Sequence, residues 1–174
     1  LEQALDAKDR SRLGAHYTPR PYVERLVNAT VIEPLRTDWE AVQGAAEQAK
    51  TEGDLGAAVR AVADFHTSLT RTRVLDPACG TGNFLYVTLE LMKTLESEVL
   101  HLLAALQAEA GLKPDLLRRD ILPSQLFGLE LNPRAAAIAE LVMWIGYLQF
   151  LYRNGDISTR DPVLEDYGAI NPVA

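Results

Sequence analysis

Arg73-Val74-Leu75-Asp76-Pro77-Ala78-Cys79-Gly80-Thr81-Gly82-Asn83-Phe84-Leu85 is the stretch that decides how the 174-residue sequence folds. Arg73 to Asp76 is a short apolar run, ended by a glycine-containing turn from Pro77 to Gly82. Beyond the turn, Leu85, Leu89, Met92, Leu95, Val99, Leu102 and Leu106 recur at helical spacing. The pattern predicts a buried strand handing over to a long helix that closes near Gly111. Further on, Gln125-Leu126-Phe127-Gly128-Leu129-Glu130-Leu131 reads as a second buried strand. Asn132-Pro133 then opens a helix over 134–151, with Asn132 as N-cap and Pro133 at the first helical position, where its missing N–H costs nothing. Two successive strand-loop-helix units require parallel strands with right-handed crossovers, and ligands of such sheets sit at the carboxyl ends of the strands. The expected fold is α/β: a partial, truncated doubly wound parallel sheet with extra helices.

Upstream, 19–35 predicts a helix with Thr18 as N-cap, Pro19 at the first position and Val23, Leu26, Val27 and Val31 on its apolar face. The segment 38–70 is rich in Ala, Glu and Gln and broken by Gly44, Gly53 and Gly56, which predicts a helical insertion of two short scaffolding helices. From Arg153 on, Asn154-Gly155, two prolines and several aspartates describe an exposed connection without a clear third strand. The expected organisation is one domain over 1–174: an N-terminal helical part (1–36), the insertion (37–71), the two strand-loop-helix units (72–152) and the connection (153–174).

Composition narrows the function. With 48% hydrophobic and 24% charged residues the chain is an ordinary globular one, long enough for a real core. No apolar run approaches the roughly 20 residues of a membrane span, and Leu1-Glu2-Gln3 has neither the basic start nor the apolar stretch of a signal peptide, so a cytoplasmic location is expected. The missing initiator Met and the abrupt ending at Ala174 lead us to expect a piece of a longer protein. A single cysteine, Cys79, excludes an internal disulfide and a cysteine-based zinc cage. A net charge of −7 argues against a nucleic-acid surface spread over the whole domain, because phosphate contacts come from clustered Lys and Arg.

The Gly turn carries the chemistry. Gly80 and Gly82 put no side chain between backbone and ligand. A dinucleotide site would want a third glycine where Leu85 stands, and a P-loop would want a Lys that the turn lacks. The turn instead offers an acid, Asp76, beside open backbone, which suits a ligand bearing an ammonium or sulfonium group. S-adenosylmethionine carries both. Glu130 ends the next strand, where an acidic side chain accepts hydrogen bonds from both ribose hydroxyls in nucleoside-binding parallel sheets. A plain tight turn and a solvated acid are the bland alternatives. Their occurrence in consecutive units favours one shared ligand with an amino-acid end and a nucleoside end.

The Gly turn with its strand, Phe127-Gly128-Leu129-Glu130-Leu131-Asn132-Pro133, and Gly14-Ala15-His16-Tyr17-Thr18-Pro19 together resemble, in that chain order, three motifs of the gamma-class DNA adenine-N6 methyltransferases found in type I and single-chain type IIG restriction-modification and related phage-defence enzymes. Trp144 to Phe150 also resembles the helix after the acidic motif of the single-chain enzymes. The resemblance implies a Rossmann-like S-adenosylmethionine-binding fold. By position, it implies that Tyr17, Thr18 and Pro19 hold the methionine end of the cofactor with Asp76, Ala78, Gly80 and Gly82 beside them. Glu130 would bind the ribose, Leu131 and Asn132 would lie near the adenine, and Asn83 and Phe84 would open the long helix next to the cofactor, Phe84 serving either ligand or core.

One element of that family is missing. The Asn/Asp-Pro-Pro-Tyr/Phe motif, which stacks a flipped adenine and accepts from its amino group, does not occur; Asn171-Pro172-Val173-Ala174 matches only its first two letters. The resemblance therefore implies the cofactor half of a DNA-modifying enzyme, with catalytic residues none in this chain and DNA gripped mainly by parts outside it. Two other readings share the Gly turn and the acid: a methyltransferase acting on protein or a small molecule, and a non-catalytic interaction module. His16, His66 and His101 are too scattered for a metal site and are expected at the surface or at caps. Arg71, Arg73, Arg118 and Arg119 are expected to be solvated, and Trp39 and Trp144 to anchor packing.

Overall fold

The computed structural model describes residues 18–113, 120–153 and 170–172. In chain order the elements are α1 (Arg20–Val27), a π-helical turn (Asn28–Ile32), α2 (Glu33–Thr51), α3 (Leu55–Leu69), β1 (Val74–Asp76), α4 (Asn83–Glu109), a 3-10 turn (Pro123–Gln125), β2 (Leu126–Glu130), α5 (Pro133–Arg153) and β3 (Ile170–Pro172). The result is a helix-rich α/β structure with a small parallel sheet, divided into two compact units.

The first unit holds the residues up to Val27, Arg73–Glu90 and those from Leu122 on. Its sheet runs β1-β2-β3, all parallel. Val74 pairs with Leu126 and Asp76 with Gly128, while Gly128 pairs with Ile170 and Glu130 with Pro172, so the carboxyl ends of all three strands lie at one edge. β1 and β2 are each followed by a short loop into a helix. Asn132 caps α5 as the sequence predicts: its Oδ1 accepts from the Arg134 and Ala135 N–H groups at 3.0 and 3.4 Å. α5 packs over β2 and β3, burying Ala135, Ala136, Ala139, Met143 and Tyr147. It also lies close to the start of α4, where a Cβ on Gly146 would come within 2.5 Å of the Tyr86 ring.

The second unit holds Asn28–Thr72 and Leu91–Ile121. α2 and α3 form a helical hairpin turned at Gly53 (φ +84°), and Asp54 caps α3 by accepting the Ala57 N–H at 2.7 Å. Trp39 stacks on Phe65 at 5.2 Å, and Val62, Leu69, Met92, Leu95 and Val99 are buried with them. Among these apolar groups sits a charged cluster. Glu96, 1% exposed, accepts the Ile121 N–H at 2.8 Å on Oε1, faces His66 Nε2 at 3.1 Å on the same oxygen, and pairs through Oε2 with Lys93.

Several expectations need correction. The expected helix is helical over 20–35 but does not stop there: a π-helical turn after Val27 leads into α2, which begins at Glu33 and runs to Thr51, past the break expected before 38. Pro34 cannot donate to the preceding turn, and the widened π-helical register before it accommodates that loss, so the helix passes Pro34 unbroken. Because α1 starts at Arg20, Pro19 stands at the cap position and Thr18 one residue earlier. Leu26 is exposed, unlike Val23 and Val27, since the face turned inward is narrow in a helix of two turns. The stretch read as an exposed connection ends in a strand, β3; three residues including a proline carry no periodicity, and pairing with β2 alone defines them. His66 is 3% exposed and bonded to Glu96, not a surface residue. Finally, α5 is long and apolar enough by length and composition to cross a membrane, contrary to the reading of the sequence; its buried alanines and Met143 are the side that packs on the sheet.

Candidate functional site

The site is built where β1 and β2 end. After Asp76 the chain makes a turn in which Asp76 Oδ1 accepts the Ala78 N–H at 3.0 Å and the Cys79 carbonyl accepts the Gly82 N–H at 2.8 Å. The Cys79 N–H donates to the Leu129 carbonyl at 3.0 Å, which fastens the turn to β2 beyond the last ladder pair. Gly80 and Gly82 have φ of +54° and +84°, values that carry a steric penalty for any residue with a Cβ. Their surroundings differ. A Cβ on Gly80 would meet nothing within 4 Å, whereas one on Gly82 would press on Ala139 of α5 at 3.1 Å. Gly82 therefore lets helix and turn pack, the role the third glycine plays in dinucleotide folds, and Gly80 keeps open space beside the backbone.

Glu130 joins the two loops. Its Oε2 accepts the Gly80 N–H at 2.9 Å and its Oε1 the Asn132 N–H at 2.8 Å. Both bonds come from backbone, so among the described residues the carboxylate is oriented without a neutralising cation. Each carboxylate oxygen accepts about two hydrogen bonds, which leaves acceptor capacity on both for a vicinal diol. Asp76 and Glu130 together make the turn electronegative. Burial, then the charges of Asp76 and Glu130, push the Cys79 thiol up to about 11. Cys79 is thus a protonated, buried packing group, and a cation arriving at this edge meets two carboxylates.

The N-terminal motif reaches the same edge. Asn83, the first residue of α4, donates from Nδ2 to the Thr18 carbonyl at 3.0 Å, and Arg20 bonds Glu90 two turns further along α4 at 2.9 Å. Of the residues singled out from sequence, Thr18, Asp76, Ala78, Gly80, Asn83, Glu130 and Asn132 are drawn together by these bonds. Phe84 is half-buried one position into α4, and Leu131 is 75% exposed at the rim of the second loop. Tyr17 lies outside the described residues. Pro19 is exposed beside Thr18.

Sequence reasoning missed Gly128, Asn83's bond to Thr18 and the Cys79 anchor. A Cβ on Gly128 would lie 2.6 Å from Cys79 Sγ, so this strand glycine is the floor on which the turn rests. A glycine inside an apolar strand is the signal that could have exposed it. The other two are long-range bonds to backbone carbonyls, for which a single sequence holds no signal. No group of three or more His, Cys, Asp or Glu able to hold a metal occurs among the described residues.

The family model of the MmeI DNA-methyltransferase domain matches residues 45–162, well over half of the chain. DNA methyltransferase A of Bacillus subtilis (strain 168) is 26% identical over 145 residues, covering 83% of this chain and 14% of that protein. Among solved structures, that of the type IIL restriction-modification enzyme MmeI in complex with DNA is similar at a TM-score of 0.67 and 29% identity, over 92% of this chain and 20% of that one. The chain thus spans about a fifth or less of the length of these two relatives.

Proposed function

We propose, from the premise that this chain belongs to the family of the MmeI DNA-methyltransferase domain, that it forms the S-adenosylmethionine-binding part of a site-specific DNA adenine-N6 methyltransferase of a restriction-modification or phage-defence system, acting in the cytoplasm. The observation that carries the reading is the bond between the Gly80 N–H and Glu130, which makes the Gly turn and the acidic loop two halves of one site at the carboxyl ends of parallel strands. Its chemistry fits the cofactor: two carboxylates for a cationic ligand, acceptor capacity for a diol, and open space at Gly80 that a side chain would fill.

Glu130 would hold the ribose, Asp76 and the backbone around Gly80 the amino-acid end beside Thr18 and Pro19, and Leu131 and Asn132 the rim near the adenine. The cofactor supplies a methyl group activated on a sulfonium. What these residues contribute is alignment, by carboxylates already held in place by backbone N–H groups. The pocket for the target adenine and the acceptors for its amine belong, in this reading, to residues beyond these 174, because the sequence holds no Asn/Asp-Pro-Pro-aromatic motif, and its net charge of −7 leaves the grip on DNA to other parts of the protein. The small sheet is then one half of a doubly wound one. Leu75, 57% exposed on β1, marks the face where a second layer would pack.

Titration calorimetry of the intact protein with S-adenosylmethionine, native and with Asp76→Ala, tests the reading. Binding that the substitution weakens by an order of magnitude or more supports it. Equal affinity of both proteins, or no binding by a folded native protein, contradicts it.

A further inference from the structure

The geometry points to Asn83 as a positioning residue that holds the Thr18–Pro19 segment against the amino-acid end of the cofactor, and not as a ligand contact in its own right. The inference rests on the cofactor reading above. Asn83 and Glu90 are seven residues apart on α4 and so lie on one face, two turns apart, with buried Val87 between them. Each takes one end of the same short segment: Asn83 Nδ2 donates to the Thr18 carbonyl at 3.0 Å, and Glu90 accepts from Arg20 at 2.9 Å. The two tethers lay residues 18–20 along the start of α4, immediately after the turn that contains Gly80.

The tethers differ in kind. Arg20–Glu90 is a half-exposed ion pair, with side chains 47% and 28% exposed, and Arg20 is shared with Glu24 at 2.6 Å; such pairs hold little in water. The Asn83 bond is part-buried and goes to main chain, so it fixes the path of the backbone itself. A side-chain amide is suited to this. It donates without charge, and its position at the first residue of a helix entered from Gly82 sets its direction relative to the Gly turn. Placing the Thr18 carbonyl fixes the path of Thr18 and Pro19 at the start of α4, directly after the Gly turn, while Glu130 takes its bonds from Gly80 and Asn132 and is left untouched.

The ligand pair that separates these ends is S-adenosylhomocysteine and 5′-methylthioadenosine, which share adenine, ribose and thioether and differ only in the amino-acid end. The variants are Asn83→Ala and Asn83→Asp, measured in the intact protein. Asp is nearly isosteric, suits the first turn of a helix and keeps the fold, yet offers an oxygen to the Thr18 carbonyl where a donor is required. The expected result is about tenfold weaker S-adenosylhomocysteine binding by both variants, the worth of one such bond, with 5′-methylthioadenosine changed less than about twofold. Equal weakening of both ligands, or weakening of neither, overturns the positioning role while leaving the cofactor reading intact. Tighter S-adenosylhomocysteine binding by Asn83→Asp also overturns it, since that is the behaviour of a group touching the ligand's ammonium. Failure of the native protein to bind either ligand overturns the cofactor reading and this role with it.

Discussion

Glu130 and Glu96 are the same residue type used in opposite ways, one in each compact unit. Glu130 stands part-buried at a strand end, and both of its described bonds come from backbone N–H groups, of Gly80 and Asn132. Glu96 is sealed at 1% exposure and answered by Lys93, His66 and the Ile121 N–H. A carboxylate compensated by a full cation is finished electrostatically and has nothing left to offer a ligand. One held by neutral dipoles keeps its charge and part of its acceptor capacity while losing its freedom to rotate, which is the condition for recognising a diol. Function is to be sought at the carboxylate that, among the described residues, is oriented but not neutralised.

The comparison predicts the largest stability effect in the sealed cluster. Glu96→Ala takes the carboxylate away from the buried Lys93 ammonium, the His66 ring and the Ile121 N–H at once, and its cost is about 3–5 kcal/mol. In thermal melting that is a fall of roughly 10 °C or more for a chain of this size. A loss under about 1 kcal/mol would mean that water reaches the cluster. Next in size is Gly128→Ala, which sets a methyl 2.6 Å from Cys79 Sγ beneath the Gly turn. Overpacking of this kind costs about 1–3 kcal/mol, and chemical denaturation should show it as a lowered midpoint at unchanged slope. An unchanged midpoint would show that the turn does not rest on β2 as described.

Acid sharpens the contrast. Glu96 is held below the ordinary carboxylate range, because hydrogen bonds from His66 and Lys93, the charge of Lys93 and the Ile121 N–H together outweigh the opposing effect of burial. Its folded value is lowered, so its contribution to stability is present above its ordinary value of 4.5 and is lost as pH falls through the lowered one. The stability gap between the native chain and Glu96→Gln should therefore narrow as pH falls below 4.5; a gap independent of pH there would contradict the pairing. The smallest effect belongs to the surface. Arg36→Ala, which removes a pair with Glu98 at 2.8 Å between side chains each 43% exposed, should change stability by less than about 1 kcal/mol. A larger loss would show that exposed pairs matter here as sealed ones do.

Reading the sequence anticipated the loops at the strand ends more fully than the helical scaffold. The turn after β1, the acid after β2 and the Asn132 cap are local events, each written in neighbouring residues: apolar runs, glycines needing positive φ, and an Asn-Pro pair at a helix start. All were legible. The rest depended on partners far along the chain. Lys93 and Glu96 lie three apart on a helix and suggest a solvated pair, until α3 brings His66 and the chain brings the Ile121 N–H, 30 and 25 residues from Glu96. β3 is too short to show a period, and α2 runs straight through Gly44, which reads as a break. Local chemistry shows in a single sequence; burial and pairing at long range do not.

The most direct test of the account is one titration with S-adenosylmethionine on three forms of the intact protein: native, Glu130→Ala and, at a temperature where it stays folded, Glu96→Gln. Binding by the native form is expected, with a loss of about tenfold or more in Glu130→Ala, where two ribose hydrogen bonds to a charged acceptor disappear, and native affinity in Glu96→Gln. Undiminished binding by Glu130→Ala would contradict the assignment of the oriented carboxylate as the cofactor site.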